Sequence, residues 1–102
     1  MYLLGFDIGS SSVKVSMIDG KNGNCVASSF HPKQEMKITA HKAGWAEQEP
    51  ELWWQNLKLA LADVLSESKV NPENILSIGI SYQMHGLVAI DKNGHLIRNA
   101  II

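Results

Sequence analysis

The stretch that decides the fold is Tyr2–Leu3–Leu4–Gly5–Phe6–Asp7–Ile8, followed by Gly9–Ser10–Ser11–Ser12 and then Val13–Lys14–Val15–Ser16–Met17–Ile18–Asp19. The first seven residues are nearly all apolar and run into a small-residue turn, the pattern of a buried strand. The next seven alternate, with Val13, Val15 and Met17 on one face and Lys14, Ser16 and Ile18 on the other, the pattern of a half-buried strand. Gly20–Lys21–Asn22–Gly23–Asn24 supplies turn residues, and Cys25 to Phe30 is again extended. The spacing therefore predicts a three-stranded antiparallel meander over the first 30 residues.

Further along, His31 to Gly44 has no period and reads as a loop or irregular edge strand. Pro50 opens a helix, because proline fits the first turn and Glu47, Glu49 and Glu51 place negative charge at the positive end of its dipole. Trp53, Trp54, Leu57, Ala60, Leu61, Val64 and Leu65 recur at helical spacing and predict a packing face. Gln55, Asn56, Lys58 and Asp63 fall largely on the other side. Asn71–Pro72 stops the helix near Ser68. Ile75 to Ser81 reads as a short buried strand, Leu87 to Ile90 as another, and His95 to Arg98 as a last one after the Asp91–Lys92–Asn93–Gly94 turn. The chain of 102 residues holds one α/β unit with one main helix.

Composition narrows the function classes. Nine basic and ten acidic side chains give a net charge of −1 without clusters, which removes the electrostatic footprint of a nucleic-acid binder. No apolar run reaches the roughly 18 residues of a membrane helix, so no membrane partner is expected. The single cysteine, Cys25, excludes an internal disulfide and points to a reducing compartment, the cytoplasm; its place in a predicted strand reads as inert packing. The four histidines have no metal-ligand spacing.

Three segments carry candidate chemistry. In Asp7–Ile8–Gly9–Ser10–Ser11–Ser12–Val13–Lys14 a carboxylate ends a strand before a Gly/Ser turn. Backbone N–H groups and hydroxyls there suit phosphate oxygens, and the carboxylate suits magnesium held through waters. An ordinary polar hairpin turn would look the same. In Ser81–Tyr82–Gln83–Met84–His85–Gly86, Gln83 and His85 offer hydrogen bonds and Gly86 permits close approach, which suits a polyhydroxylated ligand as well as a plain turn. In Gly44–Trp45–Ala46–Glu47–Gln48–Glu49–Pro50, Trp45 and Glu47 could wall and hydrogen-bond a ligand, or staple the helix start.

In order and spacing these segments resemble the N-terminal part of the FGGY carbohydrate kinases, over essentially the whole chain. Met1 to Lys14 looks like that family's first phosphate motif, Gly44 to Pro50 like its GWxEQxP segment, and Gln83–Met84–His85–Gly86 like a QMHG sugar-binding turn. The last favours the xylulokinase branch over glycerol, ribulose or gluconate kinases. The resemblance implies a ribonuclease-H-like, or actin-like ATPase, α/β domain and ATP-dependent phosphorylation of a ketopentose, D-xylulose to D-xylulose 5-phosphate. By that resemblance Asp7 organises magnesium and Gly9, Ser10, Ser11 and Ser12 line the phosphate path, with Lys14 beside them. Gln83, Met84, His85 and Gly86 shape the sugar pocket, with Trp45 on the sugar side.

The family's members are about five times longer, so residues 1–102 are expected to be an N-terminal fragment of the family's N-terminal domain, either cut down or from a truncated reading frame. The general-base aspartate, the second phosphate motif and the adenosine-binding domain would lie downstream, no catalytic residue is expected here, and the chain alone is expected to be inactive. Asp19, Asp63 and Asp91 fall in the wrong places to substitute for that base. The chain closes on the apolar pair Ile101–Ile102, which predicts an exposed apolar surface that favours a homo-oligomer or covers itself with the remaining kinase domains. The contrasting reading is a non-catalytic module of the actin-like superfold that binds a sugar, a phosphate ligand or a partner.

Overall fold

A computed structural model describes residues 1–102. Strands β1 (Tyr2–Ile8), β2 (Val13–Asp19) and β3 (Cys25–His31) form the meander, and helix α1 (Pro50–Ser68) leads back to β5 (Ile75–Tyr82). Two short strands, β4 (Glu47–Gln48) and β6 (Ala100–Ile101), complete the set. The main sheet has the order β3-β2-β1-β5, with β1 antiparallel to β2 and parallel to β5.

The predicted alternation in β2 is what builds the core: Val13, Val15 and Met17 are fully buried. Val15 and Met17 meet the helix together with Leu4 and Ala27, and Ala60 and Val64 answer from α1. A smaller cluster of Val13, Met36 and Leu57 extends the core toward the loop after β3. The helix begins on Pro50 without a side-chain cap and ends on Lys69 in the left-handed conformation (φ 57°), whose N–H closes on the Leu65 carbonyl. Asn71 then caps a single 3-10 turn, Pro72–Asn74. Helix arrest therefore falls where Asn71–Pro72 predicts it, but the stop is made by Lys69.

Several expectations need correcting. Leu87–Ile90 and His95–Arg98 are not strands; the isolated bridge Ile90 to Leu96 joins them around an Asp91 turn whose carboxylate accepts from the N–H groups of Asn93 and His95, and Leu87 bridges to Ile101 of β6. β5 has the predicted place and type but is not buried: Leu76, Ile78, Ile80 and Tyr82 are all more than half exposed. It is an edge strand paired only with β1, while the helix lies over β2 and β3. On α1, Trp54 faces out at 53% exposure. Asn56 is buried instead, because its amide donates to the Leu52 carbonyl (2.8 Å) and hides its own polarity. Cys25 is exposed at the sheet's outer edge rather than packed.

Candidate functional site

Parallel pairing of β1 with β5 puts Asp7 beside Ser81 and Ile8 beside Tyr82. The residues that follow, the Gly9–Ser12 turn and the Gln83–Gly86 turn, therefore leave the sheet at the same end. Strand ends of this kind are where open α/β sheets bind ligands.

The first turn is tight. The Gly9 N–H donates to the Ser12 carbonyl (3.0 Å), and a Cβ at Gly9 would stand 3.0 Å from that same oxygen. Its other carbonyls are held from outside: Ser10 accepts from the Gln48 amide and Ser11 from the Met36 N–H (2.9 Å). The N–H groups of Ser10, Ser11 and Ser12 have no protein acceptor. A loop pinned by its carbonyls with its N–H groups free has the donor set an anion requires. The Gly9 N–H is the exception to the sequence reading, since the turn itself consumes it. Ser11 Oγ makes a long contact to Glu35 Oε1 (3.4 Å).

Asp7 lies opposite Lys14 in the β1–β2 ladder, on the sheet face away from the helix. Gly5, Asp7, Lys14, Ser16, Gly79 and Ser81 line a shallow trough on that face. Nothing stands within 4 Å of a Cβ built at Gly5 or Gly79, so the trough is open along its floor. No three His, Cys, Asp or Glu side chains gather anywhere in the chain to cage a metal. One exposed carboxylate at the strand end that leads into the Gly9–Ser12 turn fits a largely hydrated magnesium carried on nucleotide phosphates, as magnesium is usually held.

In the second turn the four predicted residues divide. Gln83 turns inward and, with the exposed Gly86, lines a concavity alongside Ile8, Trp53, Tyr82 and Val88. The Gln83 Nε2 is buried there without a partner, a donor awaiting an acceptor. Met84 is 84% exposed and His85 is also exposed, so both project to solvent. Trp45 is in neither turn; it lines a separate groove with Glu47, Arg98 and Ile101.

Sequence reasoning gave no site role to Gln48 or Arg98, and read Trp53 only as part of the helix packing face. Gln48 is 1% exposed; it donates to the Ser10 carbonyl and accepts from the Trp53 indole N–H (2.7 Å), tying the Gly9–Ser12 turn to the helix. Arg98 pairs with the buried Glu47. Neither Gln48 nor Arg98 left a signal, since β4 is only two residues long and their partners lie 38 and 51 residues away.

A further polar cluster lies elsewhere. Asp63 of α1 accepts from Ser29 Oγ (2.7 Å) and from His31 Nε2 (2.6 Å) on β3. The His31 hydrogen bond foremost, then that of Ser29, holds the Asp63 carboxyl below its ordinary value. This pair fastens helix to sheet and is no part of the two turns.

A meander extended by a parallel strand across a helix, with a Gly/Ser turn after its first strand, defines the ribonuclease-H-like, actin-like ATPase class of α/β domain. Residues 2–102 match the model of the FGGY family of carbohydrate kinases, N-terminal domain, and the chain belongs to that family. It is 38% identical over 101 residues to a xylulose kinase of Bacillus subtilis, and 39% identical over 103 residues to a glycerol kinase of Thermoanaerobacter sp.. Each comparison takes in 99% of this chain but only 19% and 20% of the relative. Among solved structures, the xyloylose kinase from Brucella ovis superposes over 100% of this chain and 21% of its own, with a TM-score of 0.90 and 29% identity. The glycerol kinase of Plasmodium falciparum with ADP covers 99% of this chain and 20% of its own, with a TM-score of 0.80 and 25% identity.

Proposed function

We propose that residues 1–102 are the N-terminal portion of the N-terminal domain of an ATP-dependent sugar kinase, and that its acceptor is a ketopentose, D-xylulose, converted to D-xylulose 5-phosphate. The observation that carries this reading is the parallel β1–β5 pairing, which brings the Gly9–Ser12 turn and the Gln83–Gly86 turn to one end of the sheet. Phosphoryl transfer needs nucleotide phosphates and acceptor hydroxyl side by side and in line, and the protein's share of the work is positioning and charge neutralisation. The free N–H groups of Ser10, Ser11 and Ser12 would hold phosphate oxygens. Asp7 would hold magnesium through its waters, with Lys14 adding positive charge across the ladder. The bound magnesium would supply charge neutralisation on those phosphates. Gln83 would offer Nε2 to a sugar oxygen, and Met84 and His85 would close over the sugar from the solvent side, with Trp45 at its far end.

Xylulose kinase relatives and the Gln83–Met84–His85–Gly86 turn support the ketopentose; a glycerol kinase of equal similarity supports the broader class of small polyol acceptors. A general base is assigned to none of the residues here, so the 102-residue chain alone is expected to give no turnover. The test is to read the gene beyond codon 102 and assay the encoded polypeptide for Mg–ATP-dependent phosphorylation of D-xylulose, glycerol, ribulose and gluconate. Preference for D-xylulose by kcat/KM supports the reading. Turnover on another of the four alone corrects the acceptor, and no nucleotide-dependent phosphorylation of any of them favours a non-catalytic sugar-binding module.

A further inference from the structure

The groove beside Trp45 holds a charge that the two turns do not use. Glu47 is 5% exposed, and a carboxylate that deeply buried is costly unless both its oxygens find donors. Arg98 Nη2 takes Oε1. Oε2 is buried without any partner. The His41 ring comes within 3.7 Å through its Nε2, beyond hydrogen-bond range, on a side chain that is 64% exposed.

The surroundings narrow what could complete this carboxylate. Trp45 is 48% exposed on the groove wall, with the Lys42 ammonium 4.8 Å from its ring centroid, and Ile101 forms the apolar side. An anion would meet Glu47, and a cation would meet Arg98 and Lys42. A neutral molecule with O–H donors and a C–H face for the indole meets neither objection, and that is the chemistry of a polyol. The groove is also close to the second turn. Ile101 pairs with Glu47 on one side and exchanges backbone hydrogen bonds with Leu87 on the other (2.8 and 3.1 Å), one residue after Gly86. Two strand spacings, roughly 10 Å, separate the Glu47 backbone from that turn.

We propose that Glu47 is a specificity-determining residue for the sugar: Arg98 fixes Oε1, and Oε2 accepts a hydrogen bond from one hydroxyl of a polyol resting against Trp45. This rests on the sugar-kinase reading and adds to it the residue that counts hydroxyls at the end of the acceptor remote from Gln83. The hydroxyl approaches Oε2 beside the exposed His41 ring, whose Nε2 stands 3.7 Å from it.

The experiment is an equilibrium titration of the 102-residue chain with D-xylulose, followed by tryptophan fluorescence, and repeated with its 1-deoxy and 5-deoxy analogues. Glu47→Gln, which keeps an oxygen for Arg98 but replaces the free acceptor by a donor, is expected to weaken D-xylulose about tenfold or more. It should also abolish the chain's discrimination against one of the two deoxy analogues. Trp45→Ala, a half-exposed position that does not threaten the fold, should weaken the sugar as well and decides the matter if Glu47→Gln unfolds. D-xylulose bound equally by wild type and both variants, but weakly by Gln83→Ala, overturns the role of Glu47 and leaves the function standing. Failure of D-xylulose to bind the wild type, or indifference of all three variants, overturns the role of Glu47, while the kinase reading is decided by the assay of the longer encoded polypeptide.

Discussion

Gln48 and Ser10 lie 38 residues apart in sequence, yet the Gln48 side-chain amide donates to the Ser10 carbonyl while its oxygen accepts from Trp53. Neighbours in a strand point to opposite sides, so β4 sends Gln48 to the Gly9–Ser12 turn and Glu47 to the Trp45 groove. One dipeptide thereby braces both halves of the proposed site. Gln48→Leu fills similar space but strands a carbonyl and an indole N–H, and should cost about 1 to 3 kcal/mol in urea unfolding. A loss within about 0.5 kcal/mol would show that water replaces it and that the brace is unimportant.

Gly9 and Gly5 make a matched pair of tests. Gly9→Ala places a methyl 3.0 Å from the Ser12 carbonyl oxygen, a backbone atom that moves only if the turn opens. It should destabilise by roughly 1 to 3 kcal/mol and weaken binding of a nucleotide. Gly5→Ala meets nothing within 4 Å and should leave stability within about 0.5 kcal/mol. Equal unfolding midpoints for the two variants would contradict the tight packing of the turn around Gly9.

Asp63 makes stability depend on acid. Its folded pKa lies below the ordinary carboxylate value because of His31 and Ser29, so its contribution is complete above that ordinary value, near 3.8. It is lost as the pH falls from there through the folded value. The stability gap between wild type and Asp63→Asn should accordingly be constant at mildly acidic pH and shrink below about pH 4. A gap that persists unchanged to about pH 2 would mean the carboxylate's charge plays no part in joining α1 to β3.

For the polypeptide that carries kinase activity, Asp7→Asn should lower kcat by about 100-fold or more while changing sugar affinity little, because it removes charge balance needed in the transition state. Small and equal changes in kcat and KM would remove Asp7 from the metal role.

The meander and the helix were legible because their information is local: Val13, Val15 and Met17 alternate, and Pro50 to Ser68 carries one helical stripe. What misled was burial that depends on distant partners. The apolar run Ile75–Ser81 reads as an interior strand, yet pairs on one side only and stays exposed. β4 and β6 are two residues each, too short for any period, and exist because Glu47 and Gln48 pair with Ile101 and Ala100. Within the site, Gly9 to Ser12 and Gln83 to Gly86 stood out as polar breaks in apolar runs. Gln48 and Arg98 act across 38 and 51 residues, a pairing that spacing cannot reveal.

The central claim is that the two turns are the phosphate and sugar sides of one site, and an amide NMR map of the 102-residue chain tests it most directly. A non-hydrolysable Mg–ATP analogue should move the signals of Ser10, Ser11 and Ser12, and D-xylulose those of Gln83 to Gly86, with the sugar shifts altered when both ligands are present. Nucleotide and sugar that each perturb residues away from these turns, such as the Ser29–His31–Asp63 face, would contradict it.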